Sequence, residues 1–188
     1  MPSRLFYQGM LFPAAEAAGR RLRLHPDWSD GTPIGKIVNP DLPVVFVDVA
    51  GADSGRSRPE EAAVATRIVE SLLAGGVPPH EIGIITPYKA QQALIRKRLG
   101  EVRSAAAAGL SVDTVDRFQG GEREVIILSL SRSDEVTSFL ADQKRLNVSL
   151  TRARSKLILL GHARVLEEHP LFREVLEGLE RVRIDTEL

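Results

Sequence analysis

From residue 43 onward, short runs of Val, Ile and Leu alternate with longer stretches whose apolar residues recur every three or four positions. The short runs predict strands at Val44–Val49, Ile82–Thr86, Ser111–Val115, Val125–Leu130 and Leu157–Gly161. Several are apolar throughout rather than alternating, as expected of strands covered by helices on both faces. The longer stretches predict helices. Pro59 to Leu73 carries Ala62, Ala65, Ile68, Val69, Leu72 and Leu73 on one face, with Pro59 suited to a helix start and Gly75-Gly76 to its end. Further helices fall at about Lys89–Leu99, with Ala90, Ala93, Leu94 and Leu99 inward, at about Gln143–Thr151, and at Pro170–Leu179. Strands alternating with helices in this way predict an α/β fold around a mainly parallel sheet.

The first 42 residues break the pattern. Pro2, Pro13, Pro26, Pro33 and Pro40 are interspersed with the isolated aromatics Phe6, Tyr7, Phe12 and Trp28. They predict an irregular arm (residues 1–42) that packs by its aromatics onto an α/β domain (residues 43–188). Ala105–Ala108 followed by Gly109 reads as a solvent loop.

Composition narrows the function. A chain of 188 residues with 43% hydrophobic content can bury a full core. Its 25 basic and 25 acidic side chains cancel, so any nucleic-acid contact must be local rather than the work of a global basic field. There is no cysteine, and His25, His80, His162 and His169 form no ligand pair at helical or hairpin spacing, so no metal site is expected. No apolar run approaches the ~18 residues of a membrane span, and the start lacks a signal pattern. A cytoplasmic protein without a membrane partner is expected.

Ligands of parallel α/β sheets collect beyond the carboxyl ends of the strands. Thr86-Pro87-Tyr88-Lys89-Ala90-Gln91 offers a hydroxyl, an aromatic face and an amide at a helix start, where free N–H groups can hold phosphate and Tyr88 can stack on a base. The plainer reading is an N-cap with a satisfied tyrosine. In Thr114-Val115-Asp116-Arg117-Phe118-Gln119-Gly120-Gly121-Glu122, paired glycines allow close backbone approach, and Gln119 and Glu122 can hydrogen-bond a ligand; an ordinary glycine turn accounts for it equally well. Arg56 and Arg58 precede a proline-started helix, where a solvated loop paired with Glu60 and Glu61 is the simpler account. Arg145-Leu146-Asn147-Val148-Ser149-Leu150-Thr151-Arg152-Ala153-Arg154 closes a helical pattern with fixed cations whose planar forks suit phosphate; a solvated helix face is the plain alternative. The chain has no Gly-x-x-x-x-Gly-Lys-Ser/Thr and no apolar strand ending in an acidic pair, so it cannot cradle a nucleoside triphosphate in the P-loop manner by itself.

In this order, the blocks resemble the second RecA-like domain of superfamily 1 helicases, in the branch of the nonsense-mediated-decay RNA helicase and its DNA- and RNA-unwinding relatives. Ser3-Arg4-Leu5-Phe6-Tyr7-Gln8-Gly9 is similar to the family's segment between its two halves, Ile82–Gln91 to motif IV, Val112–Ser129 with Phe118-Gln119-Gly120 to motif V, and Arg145–Arg154 to motif VI. The resemblance implies a RecA-like, three-layer α/β/α fold of the P-loop NTPase type, lacking its own P-loop. It implies ATP with Mg2+, held mainly by a first RecA-like domain outside this chain, and single-stranded DNA or RNA as the track. Arg152 would be the catalytic finger reaching the γ-phosphate, with Gly120, Glu122 and Arg154 beside the nucleotide. Gln119 would couple that site to the track, and Thr86, Tyr88 and Thr114 would face the strand. Relatives carry asparagine where this chain has Arg58, and a Tyr-Arg pair upstream of this chain's start. The expectation is the C-terminal half of a helicase, without ATPase alone. A non-catalytic adaptor that keeps the fold is the alternative, and a small-molecule phosphotransferase a remoter one.

Overall fold

The computed structural model describes residues 19–26, 28, 31–51, 56–101, 109–118, 121–131, 136–137 and 140–185. The strands are β1 (Val44–Val49), β2 (Ile82–Thr86), β3 (Ser111–Thr114), β4 (Arg123–Ser129), β5 (Ala153–Gly161) and β6 (Glu180–Ile184). They form one six-stranded sheet in the order β3-β2-β4-β5-β1-β6, and every neighbouring pair is parallel. The helices among the described residues are α1 (Pro33–Val38), α2 (Pro59–Ala74), α3 (Lys89–Glu101), α4 (Gln143–Leu150), α5 (Ala163–Glu168) and α6 (Pro170–Leu176).

Strand side chains alternate between two cores, which makes three layers. Val45, Val47, Ile82, Ile84, Ile127, Ile158 and Leu160 meet α1, α2 and α3 on one face. Phe46, Ile85, Ile126, Leu128, Leu157 and Leu159 meet α4, α5 and α6 on the other. The central strands are buried from both sides, which is why they read as unbroken apolar runs.

Four expectations need correction. The arm is not wholly irregular: Thr32 accepts from the Ile34 N–H at 3.2 Å, Pro33 occupies the first turn, and α1 buries Ile34, Ile37 and Val38. Of the arm's aromatics, Trp28 packs against the core, whereas Phe6, Tyr7 and Phe12 lie outside the described residues, as do Ser3–Gly9 and Ala105–Ala108. On α3 the inward face is Gln91, Gln92, Ile95 and Leu99, while Ala90 and Ala93 are exposed. The two amides point inward because the sheet end supplies partners for them. The last predicted helix stops at Leu176; Gly178, at φ +74°, turns the chain into β6, an edge strand with alternating burial. Finally, β5 begins at Ala153 rather than Leu157, so Arg154 sits on a strand and not on a helix end.

Candidate functional site

The register of β4 and β5 builds the first cluster. Arg123 pairs with Ala153, and the Arg123 N–H donates to the Arg152 carbonyl at 3.1 Å. Glu122 and Arg152, each one residue ahead of its strand, are therefore neighbours at the amino edge of the sheet. α4 stops there because Thr151 closes it: its N–H and its hydroxyl both donate to the Asn147 carbonyl, at 3.1 and 2.9 Å. Arg152 then folds back over the helix end, Nε donating to Val148 O at 3.0 Å and Nη2 to Thr151 Oγ1 at 3.2 Å. A cation is favoured where helix carbonyls are left open. Arg152 is half-buried and has no carboxylate partner among the described residues.

Two residues on, Arg154 is differently engaged. Its Nε donates to Glu124 Oε1 at 2.8 Å and its Nη2 to Glu81 Oε2. Burial alone would push the Glu81 carboxyl up, but Arg154 and the Glu124 N–H together hold it below the usual range. The bond to Glu81 in turn raises Arg154. Arg154 ties the start of β5 to β4 and to the 3₁₀ turn before β2.

Glu122 is exposed, and its carbonyl accepts from Arg123 Nη1 at 2.8 Å. The segment leading to it is anchored by Phe118, which is buried against Gly83, and the Arg123 guanidinium lies 5.5 Å from the Phe118 ring centroid. Gln119 and Gly120 lie outside the described residues.

The second group sits at the carboxyl edge, where Thr86 pairs with Thr114. Thr114 is half-exposed, and its carbonyl accepts from the N–H groups of Arg117 and Phe118, both at 3.0 Å. Thr86 is buried: its hydroxyl meets Ser131 Oγ at 3.2 Å and accepts from the Tyr88 N–H at 3.4 Å. Tyr88 is largely buried, with its hydroxyl 3.1 Å from Thr137 Oγ1. The five residues of β2 separate the two groups by roughly 15 Å at ~3.3 Å per residue. The candidate residues thus lie at both ends of the sheet, not only beyond its carboxyl ends.

A third cluster escaped sequence reasoning. Arg58, read as solvated, is fully buried: Nη1 donates to Glu61 Oε1 at 3.0 Å and Nη2 to Val49 O at 3.0 Å. Glu61 Oε2 accepts from Ser129 Oγ at 2.6 Å and from the Ser131 N–H at 3.0 Å. Gln91 closes the ring, accepting from Arg58 N–H at 2.7 Å and donating to Ser129 Oγ at 3.1 Å. Burial pushes the Glu61 carboxyl up despite Arg58, Ser129 and Ser131. The readable signal was a glutamate beside Ala62 on the apolar face of a helix, and serines ending an apolar strand. Among the described residues no cluster of His, Asp and Glu is suited to a metal, and no helix is long and apolar enough to cross a membrane.

A family model described as "AAA domain" matches residues 1–164. The chain is 34% identical to "Regulator of nonsense transcripts 1 homolog" of Drosophila melanogaster, over 93% of its own length and 15% of that protein. It is also 34% identical to "DNA polymerase alpha-associated DNA helicase A" of Saccharomyces cerevisiae, over 88% of its length and 26% of that protein. The chain belongs to the superfamily 1 helicases. Its fold is likewise that of a C-terminal domain of a possible DNA helicase from Lactobacillus, with TM-score 0.50 at 15% identity, covering 86% of this chain and 99% of that one. This helicase domain spans about a sixth of the Drosophila relative's length and a quarter of the yeast relative's.

Proposed function

We propose that the chain is the second motor domain of an ATP-dependent helicase that translocates on single-stranded DNA or RNA, with Arg152 as its arginine finger. The observation that carries this is the contrast between two arginines two residues apart. Arg154 is held between Glu81 and Glu124, whereas Arg152, among the described residues, meets only carbonyl and hydroxyl oxygens and stands at the edge beside Glu122. A guanidinium without a carboxylate fits a phosphate ligand.

ATP, with Mg2+ held mainly on the first RecA-like domain, supplies the free energy of phosphoryl transfer. Closure of the two domains brings Arg152 to the γ-phosphate, where it neutralises charge that builds in the transition state. Glu122 accepts from the ribose, and Gly120 permits close backbone approach. Gln119 couples this edge to the strand. At the opposite edge Thr114 contacts the strand's phosphates, while Thr86 and Tyr88, engaged with Ser131 and Thr137, hold that surface from beneath.

The test joins the chain to its first RecA-like domain and measures strand-stimulated ATP hydrolysis. Arg152→Ala lowers kcat by about 10³ or more with the fold intact, and the 188-residue chain alone stays at background. Hydrolysis by the variant within about tenfold of the parent, or turnover by the chain alone, overturns the reading.

A further inference from the structure

Behind the Arg154 brace, on the α2 side of the amino edge, lies an open cleft of about 940 Å³ that the motor reading does not use. Arg20, Arg21 and Arg23 line one wall, and Gly76, Val77 and Pro78, where α2 gives way to β2, line the other. All three arginines are exposed, and none forms an ion pair among the described residues. The one acidic residue of the lining, Glu124, is already engaged: Oε1 accepts from Arg154 at 2.8 Å and Oε2 from Ser155 Oγ at 2.6 Å. The cleft therefore offers three guanidinium groups with no competing carboxylate among the described residues, Arg21 Nη1 meeting only the Arg20 carbonyl at 2.9 Å, in a chain whose total charge is zero.

The arginine-bearing wall is fixed in place. Leu22, between Arg21 and Arg23, is 4% exposed and belongs to the core. The His25 N–H donates to Gly75 O at 2.9 Å, and the His25 ring lies against Gly76, whose φ of +89° and lack of a Cβ admit it. Leu24 packs beside Gly75. A bound anion meets a backbone already ordered, so only the arginine side chains lose freedom on binding.

We propose that this cleft is a phosphate-binding site, separate from the Arg152 edge, that grips a chain of phosphates through Arg20, Arg21 and Arg23. Planar guanidinium groups suit phosphate oxygens in bidentate pairs, and three of them without base-reading partners give a grip indifferent to sequence. The shared ligand chemistry is the linked phosphate, whether of free polyphosphate or of a nucleic-acid backbone.

The experiment measures binding of the 188-residue chain to inorganic tripolyphosphate and, separately, to a single-stranded oligothymidylate across a salt series. The triple substitution Arg20→Gln, Arg21→Gln, Arg23→Gln is compared with Arg67→Gln, Lys97→Gln, Arg164→Gln, which removes the same charge from exposed positions elsewhere. For a single strand each phosphate contact contributes about 0.7 to the slope of log affinity against log salt, so the cleft variant loses about 2 of slope and the control keeps it. Loss of tripolyphosphate binding alone identifies free polyphosphate as the ligand; loss of slope for the oligonucleotide extends it to the strand. If both ligands bind the cleft variant as they bind the parent, or the control loses as much, the proposal is overturned. If the oligonucleotide and tripolyphosphate both ignore the cleft variant, the strand surface at the carboxyl edge still stands while the cleft fails. Thermal unfolding of each variant checks the alternative that the arginines serve only the open carbonyls of α2, which would lower Tm without changing binding and would also overturn it. Should the triple variant not fold, the three single variants each lose about 0.7 of slope.

Discussion

Removing Arg58 isolates the fully buried ion pair with Glu61. Arg58→Ala deletes the 3.0 Å bonds to Glu61 Oε1 and to Val49 O, and leaves the Glu61 carboxylate buried with only Ser129 and the Ser131 N–H as donors. Breaking a buried ion pair from one side costs about 3–5 kcal/mol. With a urea dependence of about 2 kcal/mol per molar, the midpoint falls by about 2 M. The deficit must depend on pH. With its cation gone, Glu61 is raised further above its ordinary value of 4.5, so the folded chain binds a proton that the unfolded chain has released. Below pH 4.5 both states are protonated and the deficit is smallest; it grows as pH rises through the raised folded value. Urea titrations followed by circular dichroism at pH 5 and pH 8 read both effects. The paired substitution Arg58→Met with Glu61→Leu recovers part of the loss, because no charge remains buried, but not all, because Ser129, the Ser131 N–H and Val49 O lose partners. A loss under about 1 kcal/mol, or one equal at the two pH values, would refute the reasoning.

Three other perturbations report on different parts of the fold. Lys156 is buried, with Nζ donating to Asn39 O at 3.0 Å and to Leu42 O, and burial lowers its ammonium to about 7; the unfolded chain keeps that proton to about 10.5, so stability climbs from pH 7 to 10, by at most about 1.4 kcal/mol per pH unit, and Lys156→Met abolishes the climb in thermal unfolding. Gly83→Ala places a Cβ 2.7 Å from Phe118 Cζ and 2.8 Å from Ile126 Cδ1, an overpacking expected to cost about 1–3 kcal/mol in urea and to displace the segment that carries Glu122. Arg154→Ala removes the partner that holds Glu81 low, so the variant is about 1 kcal/mol less stable at pH 7, and the gap closes as pH falls through the depressed folded value; a gap that widens in acid would reject the brace.

The elements legible in the sequence were those whose burial is uniform. β1 and β2 fell at their observed limits because most of their positions are buried and apolar, with Asp48 in β1 and Thr86 in β2 the polar exceptions near the carboxyl ends. β6 escaped for the opposite reason: Glu180, Arg181 and Arg183 face solvent, and only Val182 and Ile184 are buried, too few to stand out from the helix before them. Helix α1 was hidden by reading its prolines as breakers, although Thr32-Pro33 is a helix start when apolar residues follow at Ile34, Ile37 and Val38. The polar ring around Glu61 left only the faint signal of a glutamate on an apolar helix face, because sequence spacing assigns glutamate, arginine and glutamine to surfaces. Only the fold brings β1, α2, α3 and β4 to one point, where these groups pair with one another, although Arg58 Nε is buried without a hydrogen bond.

The same limit explains the pair of arginines on which the functional reading turns. By residue type and spacing alone, apart from the family resemblance, Arg152 and Arg154 are equivalent: two cations, two residues apart, at the end of an apolar helical pattern. Their difference is created by where α4 stops. Because Thr151 closes the helix and β5 begins at Ala153, Arg152 belongs to a helix end whose free carbonyls attract a cation, while Arg154 enters a ladder beside Glu124 and above Glu81. Moving the boundary by one residue would turn Arg154 to the opposite face of the sheet, away from Glu124 and Glu81. The Thr151 hydroxyl, bonded to Asn147 O and Val148 O, is therefore part of what makes Arg152 the residue at the edge. Neutralising Arg152 should reduce hydrolysis in the two-domain enzyme with little loss of stability, whereas neutralising Arg154 should reduce both.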